Sequence, residues 1–147
     1  MKKVYKARDG APFKRAEAQE IGEYIFNLKD NKGEITPLDV VNSARSKSSI
    51  LNKYFDWDDT EAAKQWRLQQ ARNIMNHIIE VIVIDDGKNT EVKVKAYYSI
   101  NAVNNKTAYV PLAVMLSNKD YKKEVLLKAL NIIEDLENFL RILQNYI

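Results

Sequence analysis

Residues Phe55–Arg72 read FDWDDTEAAKQWRLQQAR, with two tryptophans, four acids and three basic residues in eighteen positions. The question is whether the acids serve chemistry or start a helix. Asp58 stands three residues before Glu61, and the helix-forming pair Ala62-Ala63 follows. That spacing is a capping box, in which Asp58 accepts from the Glu61 amide and Glu61 reaches back. Asp59 and Glu61 also suit the positive end of a helix dipole. The stretch therefore predicts a helix over residues 60–77.

That helix has two faces. At 100° per residue, Ala63, Leu68, Ala71, Ile74, Met75, Ile78 and Ile79 fall on one side, which is the expected core side. Trp66, Gln70, Asn73 and His77 form a neighbouring strip able to hydrogen-bond and, through Trp66, to present a flat surface. Arg67 and Arg72 flank the two faces. Trp66 taken alone reads as a residue packed beneath the first helix, and His77, without a nearby nucleophile, reads as structural. The strip as a whole reads as a contact face.

Upstream, the apolar spacing of Ala18, Ile21, Ile25 and Leu28 predicts a helix over about 14–28. "ITPLDVVNSAR" (35–45) predicts another, with Thr36 at the N-cap, Pro37 at N1 and Asp39 closing a capping box. Arg45 and Lys47, among Ser46, Ser48 and Ser49, form either a phosphate-holding loop or a solvated connection, the latter being the more frequent meaning. Residues 1–13 carry Lys2, Lys3, Lys6 and Arg8 with few apolar anchors, and read as a flexible basic arm.

Downstream come strands. "IIEVIVID" (78–85) is β-branched and apolar on both faces, so both of its sides should be covered. "TEVKVKAYYSI" (90–100) alternates, with Val92, Val94 and Ala96 inward and Lys93, Lys95 and Tyr97 outward. The intervening "DDGKNT" (85–90) is hairpin chemistry. "KTAYVP" (106–111) adds a third strand after a turn at Asn104-Asn105-Lys106. A Mg²⁺ site built from Asp56, Asp58, Asp59, Asp85 and Asp86 is a rival reading of the acids, and capping plus turn formation accounts for them better.

A final helix is predicted over 118–146, capped by Ser117 with Asp120 at N3. Leu126, Ile133, Leu140 and Ile147 repeat every seven residues. Ala129, Leu136 and Leu143 supply a second seam, and Val125, Ile132, Phe139 and Tyr146 a third. Such a helix spans about 43 Å. Either part of its apolar face meets a second copy or a partner, or it curves around its own core, and the expectation is a homodimer through this helix.

The expected fold is thus α+β over 14–147: N-terminal helices in helix-turn-helix or winged-helix order, a two- or three-stranded antiparallel sheet, and a long C-terminal helix. The chain has 147 residues, net charge +3, no cysteine and one histidine. Disulfides, thiolate metal sites and histidine-rich metal sites are excluded, and no cofactor is expected. With no apolar h-region and no run long enough for a bilayer, a cytoplasmic protein without membrane contact is expected.

The stretch "YFDWDDTEAAKQWRLQQAR", with upstream "GEITPLDVVNSAR" and downstream "YVPLAVMLSNKD", resembles a group of small proteins of tailed bacteriophages and prophages. These carry an aromatic-x-Trp-Asp-Asp motif followed by Arg-x-x-Gln-Ala-Arg on a helix. The resemblance spans most of residues 15–146 as a pattern. It implies a phage or prophage origin, hence the host cytoplasm, and no particular activity.

Three functions follow from the residues. The first is a non-enzymatic DNA-binding accessory protein, with Arg67, Gln69, Arg72, Asn73 and Asn76 of the third helix toward the bases. Lys93, Lys95, Arg45, Lys47 and the basic arm would then meet phosphates. The second is a protein-interaction module, an inhibitor or adaptor of a host protein or a virion component, docking through Trp66, Gln70, Asn73 and His77. The least favoured is a metal-dependent nuclease. Against DNA stand the small net charge and the acidic hairpin tip.

Overall fold

A computed structural model of the chain describes residues 2–101 and 107–146. The turn read at Asn104–Lys106 and the heptad residue Ile147 lie outside them. The elements are β1 (Val4–Ala7), α1 (Ala18–Phe26), α2 (Pro37–Ala44), α3 (Glu61–Asn76), β2 (Ile78–Ile84), β3 (Thr90–Lys95), β4 (Tyr97–Asn101), β5 (Thr107–Pro111), α4 (Leu112–Ser117) and α5 (Lys119–Asn145). This is the expected α+β class: after the short strand β1 come the helices, then antiparallel strands and a long helix last.

The expected basic arm is instead ordered chain. β1 pairs antiparallel with β2, Tyr5 opposite Glu80 and Lys6 opposite Ile79. Its sequence is too short and lysine-rich to announce a strand, but lysines on an edge strand are how a sheet discourages further pairing. Gln19 of α1 secures this edge: its Oε1 accepts from the Tyr5 N–H at 2.8 Å and its Nε2 donates to the Lys3 carbonyl at 2.7 Å. Tyr5 lies against Gly22 of α1. A Cβ on Gly22 would stand 2.3 Å from the Tyr5 ring, and Gly22 also gives its carbonyl to the buried Tyr97 hydroxyl at 2.6 Å. Gly22→Ala should therefore destabilise the protein by about 2 kcal/mol through overpacking, measured as a lower midpoint in urea.

β2 is the centre of a three-stranded sheet in the order β1-β2-β3, and β4 and β5 form a separate two-stranded sheet. The long alternating run 90–100 thus divides at Ala96, whose N–H still donates to Ile78 O while its carbonyl accepts from Leu112. Tyr97, expected to point outward, is fully buried, because the chain changes sheets there and the alternation restarts. One core gathers α1, α2, α3 and the inner face of the larger sheet around Ile21, Ile25, Val40, Ile74 and Tyr97. A second, smaller core holds Ile100, Ala108, Val110, Leu112 and Met115, with Ile82, Val94 and Tyr121 against it. Mutual hydrogen bonds of 2.7 Å between Ile35 and Tyr109 tie the helical half to β5.

Thr36 caps α2 as predicted, the full capping box with Asp39 being present. The cap of α3 differs from expectation: Thr60, not Asp58, accepts from the Ala63 amide at 3.2 Å. Asp58 instead accepts from the Thr60 N–H at 3.3 Å. Likewise Asn118, not Ser117, caps α5, accepting from the amides of Asp120 and Tyr121. Ser117 is taken up by the short α4, which the sequence did not announce.

Glu80 is the one buried carboxylate among the described residues, beside Tyr5. Burial pushes its pKa above the ordinary carboxylate value, and Lys3 offsets part of this. A raised acid pKa gives stability that is complete below the unfolded-state value and is lost as pH rises through the folded one. Glu80→Gln should therefore raise the melting temperature relative to the parent at about pH 8 and leave the difference near zero at about pH 4. Equal shifts at both pH values would contradict this.

Candidate functional site

The motif 55–72 folds as a clamp on its own loop. Phe55 is buried in the main core, and the Trp57 indole N–H donates to Asn52 O at 2.9 Å. Arg67 was expected to point toward DNA. It is 2% exposed, and its Nη1 donates to the carbonyls of Asp56, at 2.9 Å, and of Asp58. Its guanidinium also lies 5.5 Å from the Trp57 ring centroid. Gln70 completes the clamp, with its Nε2 donating to Tyr54 O and its Oε1 accepting from the Asp56 N–H. The reason is positional. Ala63, Arg67 and Ala71 lie four residues apart on the face of α3 that meets the core, and two alanines leave room for one long side chain between them.

The remaining polar residues of α3 divide. Gln69 and Asn73 are exposed, and Gln70, Arg72, Asn76 and His77 are half-buried. His77 closes the helix, its Nδ1 donating to Asn73 O at 2.6 Å, so the ring nitrogen facing the helix carries the proton. This is the structural role expected for it. Trp66 does not pack beneath the first helix; it is 54% exposed. It lines a shallow cleft of about 310 Å³ with Pro12, Tyr54, Gln69, Gln70 and Asn73. The strip of Trp66, Gln70 and Asn73 therefore does meet at one surface, with Gln70 engaged by the loop.

The phosphate-directed cations fall in two places. Arg45 stands over the Trp57 ring at 5.4 Å, while Lys47 is exposed in a serine loop where Ser46 and Ser48 bond to each other at 2.8 Å. Lys93 and Lys95 lie on the outer face of the larger sheet. Lys6, Ile79 and Lys95 form one cross-strand row there, and Val81 and Lys93 the next. A cleft of about 610 Å³ at this face is lined by Lys6, Arg8, Asp9, Arg15 and Lys93. Lys95 is half-buried, and burial, then Arg8 and Lys128, holds its pKa below the usual lysine value.

The five aspartates are not assembled into a metal site. Asp86 closes the hairpin turn, accepting from the Thr90 hydroxyl at 2.7 Å and from the Lys88 N–H at 3.0 Å. Among the described residues, no group of three or more histidine, aspartate or glutamate side chains is placed to hold a metal ion.

Both sides of β2 were expected to be covered. The far end of β2 is uncovered: Val83 and Ile84 are exposed, opposite Glu91 and Thr90 of β3. Among the described residues, α5 is rooted only at its start. Tyr121 donates to Glu34 Oε1 at 2.8 Å, Glu124 accepts from the Asn101 N–H at 3.1 Å, and Lys128 donates to Ser99 O at 2.9 Å. From Leu126 to Tyr146 every residue is exposed. Ten large apolar side chains of this helix, from Leu126 to Leu143, are each 40–67% exposed. No helix among the described residues is long and apolar enough to cross a membrane. No protein-family model matches the chain, and neither the curated proteins nor the solved structures provide a match.

Proposed function

We propose that this chain is a non-enzymatic interaction module that assembles through α5, an accessory protein of a phage or prophage working in the host cytoplasm. The observation that carries the assembly is the unpartnered apolar length of α5. Ten large side chains on one helix exceed the apolar patch of a few hundred Å² that monomeric proteins tolerate in water. An isolated helix of 27 residues also gains little stability without packing. The phage setting rests on the resemblance of residues 15–146 alone. Sedimentation equilibrium of the intact chain tests the reading. A mass at a multiple of 17.0 kDa, falling on dilution, is expected. A 17.0 kDa species at every concentration would move the binding function to the Trp66 cleft and a different protein.

A second reading has its own observation. The cation row Lys6–Lys95, with Arg8, Arg15 and Lys93 around one cleft, favours DNA held by its phosphates on the sheet face rather than read by α3, whose Arg67 is buried. Lys93→Ala with Lys95→Ala should weaken binding evenly across sequences and reduce the salt slope by about 2. A gel shift showing no complex with duplex DNA at low salt would end it.

A further inference from the structure

The a, d and g positions of α5 are apolar, and its two flanks are unlike each other. With Leu126, Ile133 and Leu140 at a and Ala129, Leu136 and Leu143 at d, one flank (g) is Val125, Ile132, Phe139 and Tyr146. The other flank (e) is Lys123, Leu130, Glu137 and Gln144. In a parallel pair, the g flank of each helix faces the e flank of its partner. Ile132 would then sit against Glu137, Phe139 against Gln144, and Ala129 against Ala129, leaving charge beside apolar groups and a gap in the seam. In an antiparallel pair related by a two-fold axis, like flanks meet. Val125 then faces Tyr146 and Ile132 faces Phe139, a small side chain opposite a large one each time. Ala129 faces Leu140, Leu126 faces Leu143, and Ile133 faces Leu136. The three seam pairs are centred between Glu134 and Asp135, and the two flank pairs one residue further on, between Asp135 and Leu136.

Charge favours the same arrangement. Residues 119–132 carry four lysines and two acids, and residues 133–146 carry three acids and one arginine. Antiparallel packing sets the basic half of each helix beside the acidic half of the other, and parallel packing sets like halves together. The roots of α5 at Tyr121, Glu124 and Lys128 place the folded head at the start of the helix, so antiparallel packing also keeps the two heads at opposite ends.

We infer that the partner of α5 is the α5 of a second copy, packed antiparallel with Leu126 of one chain beside Leu143 of the other. This rests on the reading of α5 as the assembly helix, and the test separates the two. The chain has no cysteine, so Lys123→Cys and Gln144→Cys each introduce one thiol at an exposed polar position. The two lie about 30 Å apart along one helix. Full-length chains carrying them are co-expressed with different tags and treated with a short bismaleimide. The expected result is a covalent dimer holding one chain of each kind, linked 123 to 144, in several-fold greater yield than either variant gives with itself. Efficient self-linking of each variant, with no gain in the mixture, overturns the antiparallel arrangement and leaves α5 as the assembly helix. An oligomeric mass with no crosslink in any combination, or a 17.0 kDa mass throughout, overturns both.

Discussion

Arg67→Ala is expected to lower stability by about 3 kcal/mol, and the melting temperature by roughly 10 °C. The guanidinium is buried and donates to two backbone carbonyls that have left regular structure, those of Asp56 and Asp58. Its Nε has no acceptor among the described residues, so those two bonds carry the compensation for burying the charge. Hydrogen bonds from charged donors are worth about 1.5–3 kcal/mol each, and removing the donor also leaves an acceptor unpaired. The cation over Trp57 is lost as well. Arg67→Lys should recover part of the loss only, because one ammonium on a flexible stem reproduces neither the planar fork nor the stacking. Arg72→Ala, at a half-buried neighbour, should change stability far less. Equal, small effects at both arginines in urea titrations would contradict the clamp.

Ile133→Glu combined with Leu136→Glu should convert the assembly to a monomer while leaving the melting of the folded head unchanged. Both side chains are about half exposed and lie beyond the root of α5, so the head loses no contact. In a symmetric pair each substitution counts twice. Four apolar side chains at a minimum of about 1.5 kcal/mol each give about 6 kcal/mol, roughly four orders of magnitude in the dissociation constant. Light scattering at a concentration where the parent is assembled reads the change directly. An unchanged mass would place the interface elsewhere.

Much of this fold was legible where local chemistry and tertiary packing agree. The capping box at Thr36 and Asp39 is satisfied within four residues, so its sequence signature survives folding intact. The hairpin at Asp85–Thr90 and the seven-residue repeats of α5 are similarly local. Reading failed where a distant contact decides. Val4–Ala7 is a strand because β2 offers an edge and Gln19 satisfies the chain on its other side, and neither partner is near it in sequence. Ala96 divides one alternating run between two sheets because β5 and α4 return to meet it. Arg67 was assigned to solvent because a charged residue ranks as polar in any hydrophobic count. A signal was nevertheless present: it occupies the four-residue row between Ala63 and Ala71, on the apolar side of its helix. The spacing of Arg67 and Gln70 has the same explanation, since the two side chains hold alternate carbonyls, those of Tyr54, Asp56 and Asp58, in one loop.

The central claim is that α5 is itself the assembly surface. Amide hydrogen exchange of the intact chain, followed segment by segment at two protein concentrations, tests it most directly. In the assembled protein the amides of residues 126–145 should exchange as slowly as those of a packed core helix, and their protection should fall on dilution while that of β2 stays constant. Rapid exchange across 126–145 at high concentration, in a sample whose mass shows it to be assembled, would contradict the account.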